Sequence, residues 1–457
     1  SSSNKKAMPP SSRRRETMNA EVKPVRTPAE EALAAAIAAR ARLPGGGALT
    51  KLREQAAKSF LASGLPHRRI EEWKYTDLRA LMREAAPLAP PPDANAIKEA
   101  KALDPFPGID ARRLVLVNGA FVPELSDLKA ERGLTVLPLA RALAEGDKLT
   151  ENIGAIAPTI YDAALALNTA FLNDGVIVAL AAGTKIERPI HIVHCHAGKA
   201  PVASYARALV ISGTSTRATL VESFLGPDAV AYQANSALEL LVGDDSELAL
   251  VRLQAEGDAA LHLSTLVAEI GARAKFALHP LTVGAALSRF SIFLRFAGSG
   301  TDGKLAGANV LRRRQHADTT LVVDHAVPGC KSRELNKSAL DGTSRGVFQG
   351  KIIVRHGAQK TDAKMATHAL LLSEGAESDN KPELEIFADD VQCGHGATSG
   401  ALDENLLFYL LARGIPRKEA EALLIQSFVG EALEAVSHDG LRESLLARAA
   451  AWLAERG

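Results

Sequence analysis

A glycine ends one extended, apolar segment after another at nearly constant spacing through the middle of this 457-residue chain. Successive glycines are 30, 28, 29, 29 and 28 residues apart, and they are Gly213, Gly243, Gly271, Gly300, Gly329 and Gly357. A period near 29 built from strands and tight turns predicts stacked coils, in which each coil buries its apolar face against its neighbours. An antiparallel β-sandwich would also give many short strands, but the regular interval favours a β-helix or solenoid.

Helical sequence patterns flank this repetitive region on both sides. A helix start is predicted at Thr27-Pro28, an Asn-Gly hairpin turn at Asn118-Gly119, and helices return after Leu402. We therefore predict a mainly β fold in which a parallel β-helix is flanked by helical domains. The predicted parts are a disordered tail over residues 1–17, a mostly helical N-terminal domain over 18–172, a parallel β-helix core over 173–400 and a C-terminal helical domain over 401–457.

Composition excludes several classes of function. The formal net charge is +1 and only 4% of residues are aromatic, which argues against a nucleic-acid partner. No run of about 18 apolar residues is present, so no membrane span is expected. The three cysteines, Cys195, Cys330 and Cys393, are far apart, which suits a reducing cytosol rather than a disulfide framework. We therefore expect a cytoplasmic protein.

A thiol and an imidazole lie two residues apart near the end of the repetitive region. Cys393 and His395 stand in an extended segment, where side chains at i and i+2 point to the same face. Soft sulfur beside imidazole nitrogen suits zinc, copper or iron–sulfur chemistry. Two ligands do not close a metal site, which usually needs four. The rest must come from elsewhere in the chain or from a second protein, unless the pair is simply a buried Cys and a satisfied core His.

Other motifs have weaker functional interpretations. Gly298–Leu305 matches a phosphate loop except for Leu305 in place of Ser or Thr, and no helix is predicted to follow it. In the segment from His191 to His196, strand alternation places His194 and His196 on one face, and His191 and Cys195 on the other. These four side chains therefore do not converge on one ion without a bend.

Two further candidate pairs are open to interpretation. Cys330 follows a Pro-Gly turn, and a lone cysteine in this setting is predicted to be a small buried hydrophobic residue. The alternative is a nucleophile pair with His325, which is nearby in the sequence. Asp389 and Asp390 are adjacent in extended sequence, so their carboxylates point to opposite faces and do not form a dyad.

Several segments carry a family resemblance that covers residues from about 50 to 435. The quoted stretches are Arg68–Leu78, Asp174–Val176, Glu187–His191, Val327–Arg333, Arg345–Gly350, Lys360–Ala363 and Lys381–Thr398. Together they resemble the SufD family of scaffold proteins in the SUF iron–sulfur cluster assembly system. Residues 1–17 fall outside the resemblance.

The resemblance implies a non-catalytic scaffold with a right-handed parallel β-helix. Such a chain would pair with a SufB-like scaffold and would bind a SufC-like ATPase through helices around Leu406–Leu433. Whether the isolated chain forms a homodimer is left open by the sequence. A transient iron–sulfur cluster would form at the SufB interface, with His395 as the implicated ligand and Cys393 beside it. Nucleotide would be bound by the ATPase and not by this chain. The alternative, from a different class, is a β-helix enzyme that acts on a polysaccharide.

Overall fold

Two long sheets occupy the centre of the computed structural model, which describes residues 25–40 and 43–454. The predicted tail over 1–17 lies outside the described residues. Sheet A contains β3 (Leu134–Pro138), β4 (Asp174–Leu180), β6 (Ala203–Ser212), β8 (Gln233–Val242), β10 (Leu261–Ile270), β12 (Leu287–Phe296), β14 (His316–His325), β16 (Arg345–Val354) and β18 (Glu377–Ile386). Sheet B contains β1 (Arg112–Val117), β2 (Ala120–Phe121), β5 (Ile190–Cys195), β7 (Arg217–Leu225), β9 (Glu247–Ala255), β11 (Lys275–Thr282), β13 (Asp302–Leu311), β15 (Lys331–Leu340), β17 (Asp362–Leu371) and β19 (Gln392–Gly400).

From β4 onward the chain alternates between the two sheets, and each strand from β6 to β17 pairs in parallel with the strands one coil before and after it. In sheet A, for example, β12 pairs with β14 from Leu287↔His316 to Phe296↔His325 without a register break. This arrangement is a parallel β-solenoid. The predicted mainly β fold, with a parallel β-helix and helices on either side, is confirmed.

Alternating side chains explain why the coils stack. Along β13, Leu305 faces the interior between the sheets, whereas Ala308 and Val310 face outward against helices. The interior is filled mainly by Leu, Ile, Val, Ala and Phe contributed by both sheets. The first three repeated glycines, Gly213, Gly243 and Gly271, allow close stacking at the turns. A Cβ on Gly243 would lie 2.4 Å from the carbonyl oxygen of Gly213 in the preceding coil, so a side chain does not fit there.

Helices cover the outer faces of both sheets. The helices among the described residues are α1 (Pro28–Ala39), α2 (Gly47–Ser63), α3 (Leu78–Leu81), α4 (Ala94–Lys101), α5 (Leu139–Glu145), α6 (Ala163–Ala170), α7 (Glu404–Ala412), α8 (Arg417–Leu433) and α9 (Asp439–Ala454). Helices α1, α2 and α6 pack together over the outer face of sheet A, and α8 and α9 pack on sheet B. No helix in the described ranges is long and apolar enough to cross a membrane.

The N-terminal region is less helical than the sequence pattern indicates. The predicted hairpin at Asn118-Gly119 is confirmed, because β1 and β2 pair antiparallel around it. Beyond that prediction, β1 also pairs in parallel with β5 and so joins sheet B, while β3 pairs antiparallel with β4 in sheet A. Alternating strand sequence over about six residues is too short to reveal which distant strand it will meet.

The last coil leaves both sheets with an open side. Strand β18 pairs only with β16, and β19 pairs only with β17, among the described residues. Both strands therefore have a row of backbone N–H and C=O groups without strand partners.

Candidate functional site

Cys393 and His395 lie on β19, in the open last coil. Their register partners on β17 are Ala363 and Met365, both buried between the two sheets. Cys393 and His395 therefore occupy the same interior-facing side of the strand, as strand alternation predicts. No coil follows them in the described chain, so Cys393 is only half-buried against the core and His395 is exposed. The solenoid thus ends in an open mouth that carries one thiol and one imidazole.

An open groove of about 400 Å³ lies at this mouth, and its lining residues are Lys364, Met365, Gln392, Cys393, Gly394 and His395. Burial raises the pKa of the Cys393 thiol, and the carboxyls of Asp362 and Glu334 raise it further. The thiol must therefore lose a proton before it can bind a metal as thiolate.

The mouth offers two donors and no complete metal site. Within the described residues, no group of three or more His, Cys, Asp and Glu side chains is arranged to hold a metal ion. Four-coordinate chemistry at Cys393 and His395 therefore requires donors that approach from outside the last coil.

The histidines near Cys195 do not converge, in agreement with the alternation argument. His191 faces outward, where its Nε2 lies 2.8 Å from the Ser223 hydroxyl. His194 faces the interior, with Nε2 3.1 Å from Glu222. Cys195 is buried in a separate apolar cluster, and burial raises its pKa to about 12. These side chains are parts of the packed core.

Sequence reasoning missed a network of buried charges in the first coils. Arg252 lies between the rings of Phe224 and Phe290 and pairs with Glu222 at 3.3 Å. Nearby, His262 Nδ1 lies 2.6 Å from Glu256. Arg252 occupies an interior position of β9, as Leu250 does, whereas Val251 and Leu253 face outward. Strand alternation in this segment could therefore have predicted from the sequence that the Arg252 side chain is buried.

The remaining candidates have structural roles. Cys330 is buried, and its thiol lies 3.4 Å from the Gly298 carbonyl, whereas the nearby His325 contacts the Ser332 hydroxyl instead. Gly298–Leu305 forms a turn that leads into β13 rather than into a helix, so no phosphate loop is built there. Asp390 pairs with Lys360 in the turn before β19.

Acid should destabilise this fold through buried neutral histidines. Burial lowers the pKa of His191 to about 3 and those of His196 and His316 to about 4. In the unfolded chain these histidines bind protons near pH 6.5, whereas in the folded chain they bind them only near pH 3 to 4. The free energy of unfolding is therefore highest above pH 6.5 and decreases as the pH falls toward 4. Urea unfolding at pH 5 should give a free energy lower by about 2 kcal/mol for each such histidine than at pH 7. Equal stability at both pH values would contradict this account.

Comparison with known proteins agrees with this geometry. Residues 194–428 match the model of the SUF system FeS cluster assembly SufBD core domain, and residues 45–192 match that of the SufBD protein N-terminal region. The chain belongs to the SufBD family. The core-domain match extends from the first interior histidine, His194, to α8, and therefore includes the open mouth.

Individual SufBD relatives match most of the chain. An iron–sulfur cluster assembly protein SufD of Escherichia coli is 29% identical over 399 residues, covering 86% of this chain and 91% of the relative. A SufBD family protein of Synechocystis is 29% identical over 85% of this chain and 87% of its own length. The chloroplastic protein ABCI7 of Arabidopsis thaliana is 28% identical over 86% and 84%. This is an iron–sulfur cluster assembly protein of the SufBD family, similar to SufD, and the family favours a scaffold over the polysaccharide-active alternative.

Proposed function

We propose that this chain is a non-catalytic scaffold that pairs with a SufB-like subunit through its last coil and holds part of a nascent iron–sulfur cluster there. The observation that carries the proposal is the open mouth, where Cys393 and His395 lie on the interior-facing side of a last coil that no further coil of the described chain covers. A second solenoid that stacked on this coil would supply the missing donors and cover the exposed core. A second copy of the chain would dock in the same way when no other scaffold is present.

The backbone of β19 is suited to accept another strand. The N–H of Gln392, which faces outward, bonds back to Thr361 at 2.8 Å. Because N–H groups alternate in direction along a strand, those of the interior-facing residues Cys393, His395 and Ala397 point to the open side. Glycines on either side of His395 allow a partner backbone to approach closely.

The other open strand, β18, is a poorer edge for pairing. Pro382 occupies an interior-facing position, where its missing N–H leaves a gap in the open row of donors. Acidic side chains along the outer face, including Glu383 and Glu385, further discourage nonspecific pairing. We therefore infer that β19 provides the main backbone contact with the SufB-like scaffold.

The C-terminal helices provide a second contact surface. Helix α7 exposes Leu406, Phe408 and Tyr409, and the exposed fraction of Phe408 is 72%. Large apolar side chains at this exposure on one short helix mark an interaction surface. We propose that a SufC-like ATPase binds here, and that nucleotide is bound by that subunit and not by this chain.

At the mouth, His395 would bind iron of the nascent cluster through its imidazole, and Cys393 would add thiolate sulfur once deprotonated. The cluster is cargo that leaves with a recipient protein, so an incomplete and open donor set suits release better than a closed four-ligand site.

Ala397→Pro tests the docking geometry. The N–H of Ala397 points to the open side, so proline removes no hydrogen bond to β17, whereas it blocks one backbone bond to a docked strand. We expect the variant to fold but to pull down at least about tenfold less SufB-like partner in co-expression. Ala397→Val is the matched control, with normal pairing. Normal pairing of both variants would rule out strand docking on β19.

A further inference from the structure

A column of three like charges crosses the outer face of sheet B in the last coils. Lys304, Arg333 and Lys364 lie directly opposite one another in the register of β13, β15 and β17. Like charges in directly opposite positions of neighbouring strands destabilise a sheet. The row two positions earlier on the same face alternates in sign instead, and its members are Arg217, Glu247, Lys275, Asp302, Lys331 and Asp362. The column of like charges therefore needs a different reason, such as an anionic group bound from outside.

Two of the three cations are available to such a group. Arg333 is held in place, because its Nη2 lies 2.6 Å from the Asp362 carboxylate and its Nη1 donates to the carbonyls of Ser332 and Asp362. Lys304 and Lys364 are exposed, and neither ammonium group forms an ion pair or a hydrogen bond with a described residue. The two lysines thus stand on either side of a fixed guanidinium, on strands about 9.6 Å apart.

The three cations form one wall of a cleft of about 530 Å³ between sheet B and the end of α8. The floor is the next outward row of the sheet, which is small or apolar and consists of Ala306, Leu335 and Ala366. The opposite wall carries Glu431 and Glu434, and Glu431 is already paired with Lys337. The cleft therefore combines an apolar floor with one wall of cations, of which two lack a partner among the described residues.

The cleft continues to the open mouth. Lys364 and Met365 line both the cleft and the groove at Cys393 and His395. On β19 the next outward positions in register are Gly394 and Gly396, and a Cβ on either glycine would have open space around it. From β13 to β19 this track spans about 14 Å, which is the length of about four residues of extended chain. An open track of this length suits a polypeptide segment better than a small molecule, which usually binds in a more enclosed pocket.

We propose that this cleft binds an acidic, extended segment of the protein that receives the cluster. Carboxylates of the segment would pair with Lys304 and Lys364, and its apolar side chains would cover the floor at Leu335. Since the track ends at the mouth, a recipient held there would have its own ligands close to Cys393 and His395. The acidic character of the segment follows from the charges of the cleft, whereas its assignment to the recipient rests on the proposed function.

Peptide binding to the full-length chain tests the acidic site. The probe is a short fluorescent peptide of alternating Asp and Leu, with alternating Asn and Leu as the control peptide, and affinity is measured by anisotropy. We expect Lys304→Gln/Lys364→Gln to weaken the acidic peptide at least about tenfold, and Glu434→Gln to strengthen it about twofold. The matched control, Lys275→Gln/Lys331→Gln, removes two exposed lysines of the same sheet face outside the cleft and should change the affinity by less than about twofold.

Three results would overturn the acidic site: equal affinity for the two peptides, equal effects of the two double variants, or displacement of the peptide by an equal concentration of citrate. The last result would assign the cleft to a compact polycarboxylate. Circular dichroism of each variant checks the fold, which should be unchanged because all four lysines are exposed.

Cluster transfer tests the assignment to the recipient. The complex with its partner subunits is loaded with cluster, and transfer to an acidic apo-ferredoxin is followed by absorbance. Per cluster loaded, Lys304→Gln/Lys364→Gln should slow transfer at least about threefold, and the matched control should not. An unchanged transfer rate, or loss of a partner subunit from the complex, would overturn this assignment. Failure of the scaffold proposal would appear separately, as normal cluster yield in His395→Ala.

Discussion

A His395→Ala variant should assemble with its partner subunits normally and yet carry at least about tenfold less iron and acid-labile sulfide than the wild-type complex. The side chain is exposed at the end of the solenoid, so its removal creates no cavity and disturbs no packed neighbour. What the variant loses is the imidazole, one of the two metal donors that the described residues place at the mouth. The measurement is iron and sulfide per complex after anaerobic reconstitution, with complex assembly followed by gel filtration.

Matched variants separate the ligand role from general effects. His368→Ala removes a histidine from the neighbouring strand β17, where the side chain faces outward and contacts Thr398, and it should leave the yield within about twofold. Cys393→Ser should have an intermediate effect, because the thiol is half-buried and its raised pKa makes it the weaker donor at neutral pH. Normal cluster yield from His395→Ala would remove the histidine from the site.

An Arg289→Met variant should destabilise the attachment of the N-terminal region to the solenoid by about 3–5 kcal/mol. The guanidinium of Arg289 lies 3.8 Å from the ring centroid of Trp73 and 2.5 Å from Asp318, and it donates to the Glu72 carbonyl. All three side chains are buried, so removal of the cation leaves the charge of Asp318 uncompensated in the interior.

The two tryptophans of the chain allow a selective measurement. In a Trp452→Phe background, the fluorescence of Trp73 reports the attachment segment, and circular dichroism reports the sheets. Arg289→Met should lower the urea midpoint of the fluorescence signal. Arg295→Met on the same strand is the control, because Arg295 is half-exposed and its pair with Glu269 is 3.7 Å long, so the free energy should change by no more than about 0.5 kcal/mol. Equal effects of both variants would contradict the assignment.

The period of the glycines was sufficient to predict the solenoid, because each coil repeats the same strand and turn chemistry. The common face of Cys393 and His395 also followed from alternation alone. The parallel pairing of β1 with β5 could not be predicted in this way, since short alternating segments do not specify a partner 78 residues away. The burial of Glu334 was equally hidden, since it depends on the register with Leu305 and Met365, which places a carboxyl among apolar neighbours from other coils.

The stacking of coils also fixes the length of the molecule in whole steps. Each coil adds one strand spacing of about 4.8 Å, so β5 and β19, seven steps apart in sheet B, are separated by roughly 34 Å. Because a coil contacts only its neighbours, a gain or loss of one complete repeat would lengthen or shorten the rod by one step and leave both ends intact. The number of coils therefore sets the distance between the buried charges around Arg252 in the first coils and the open mouth.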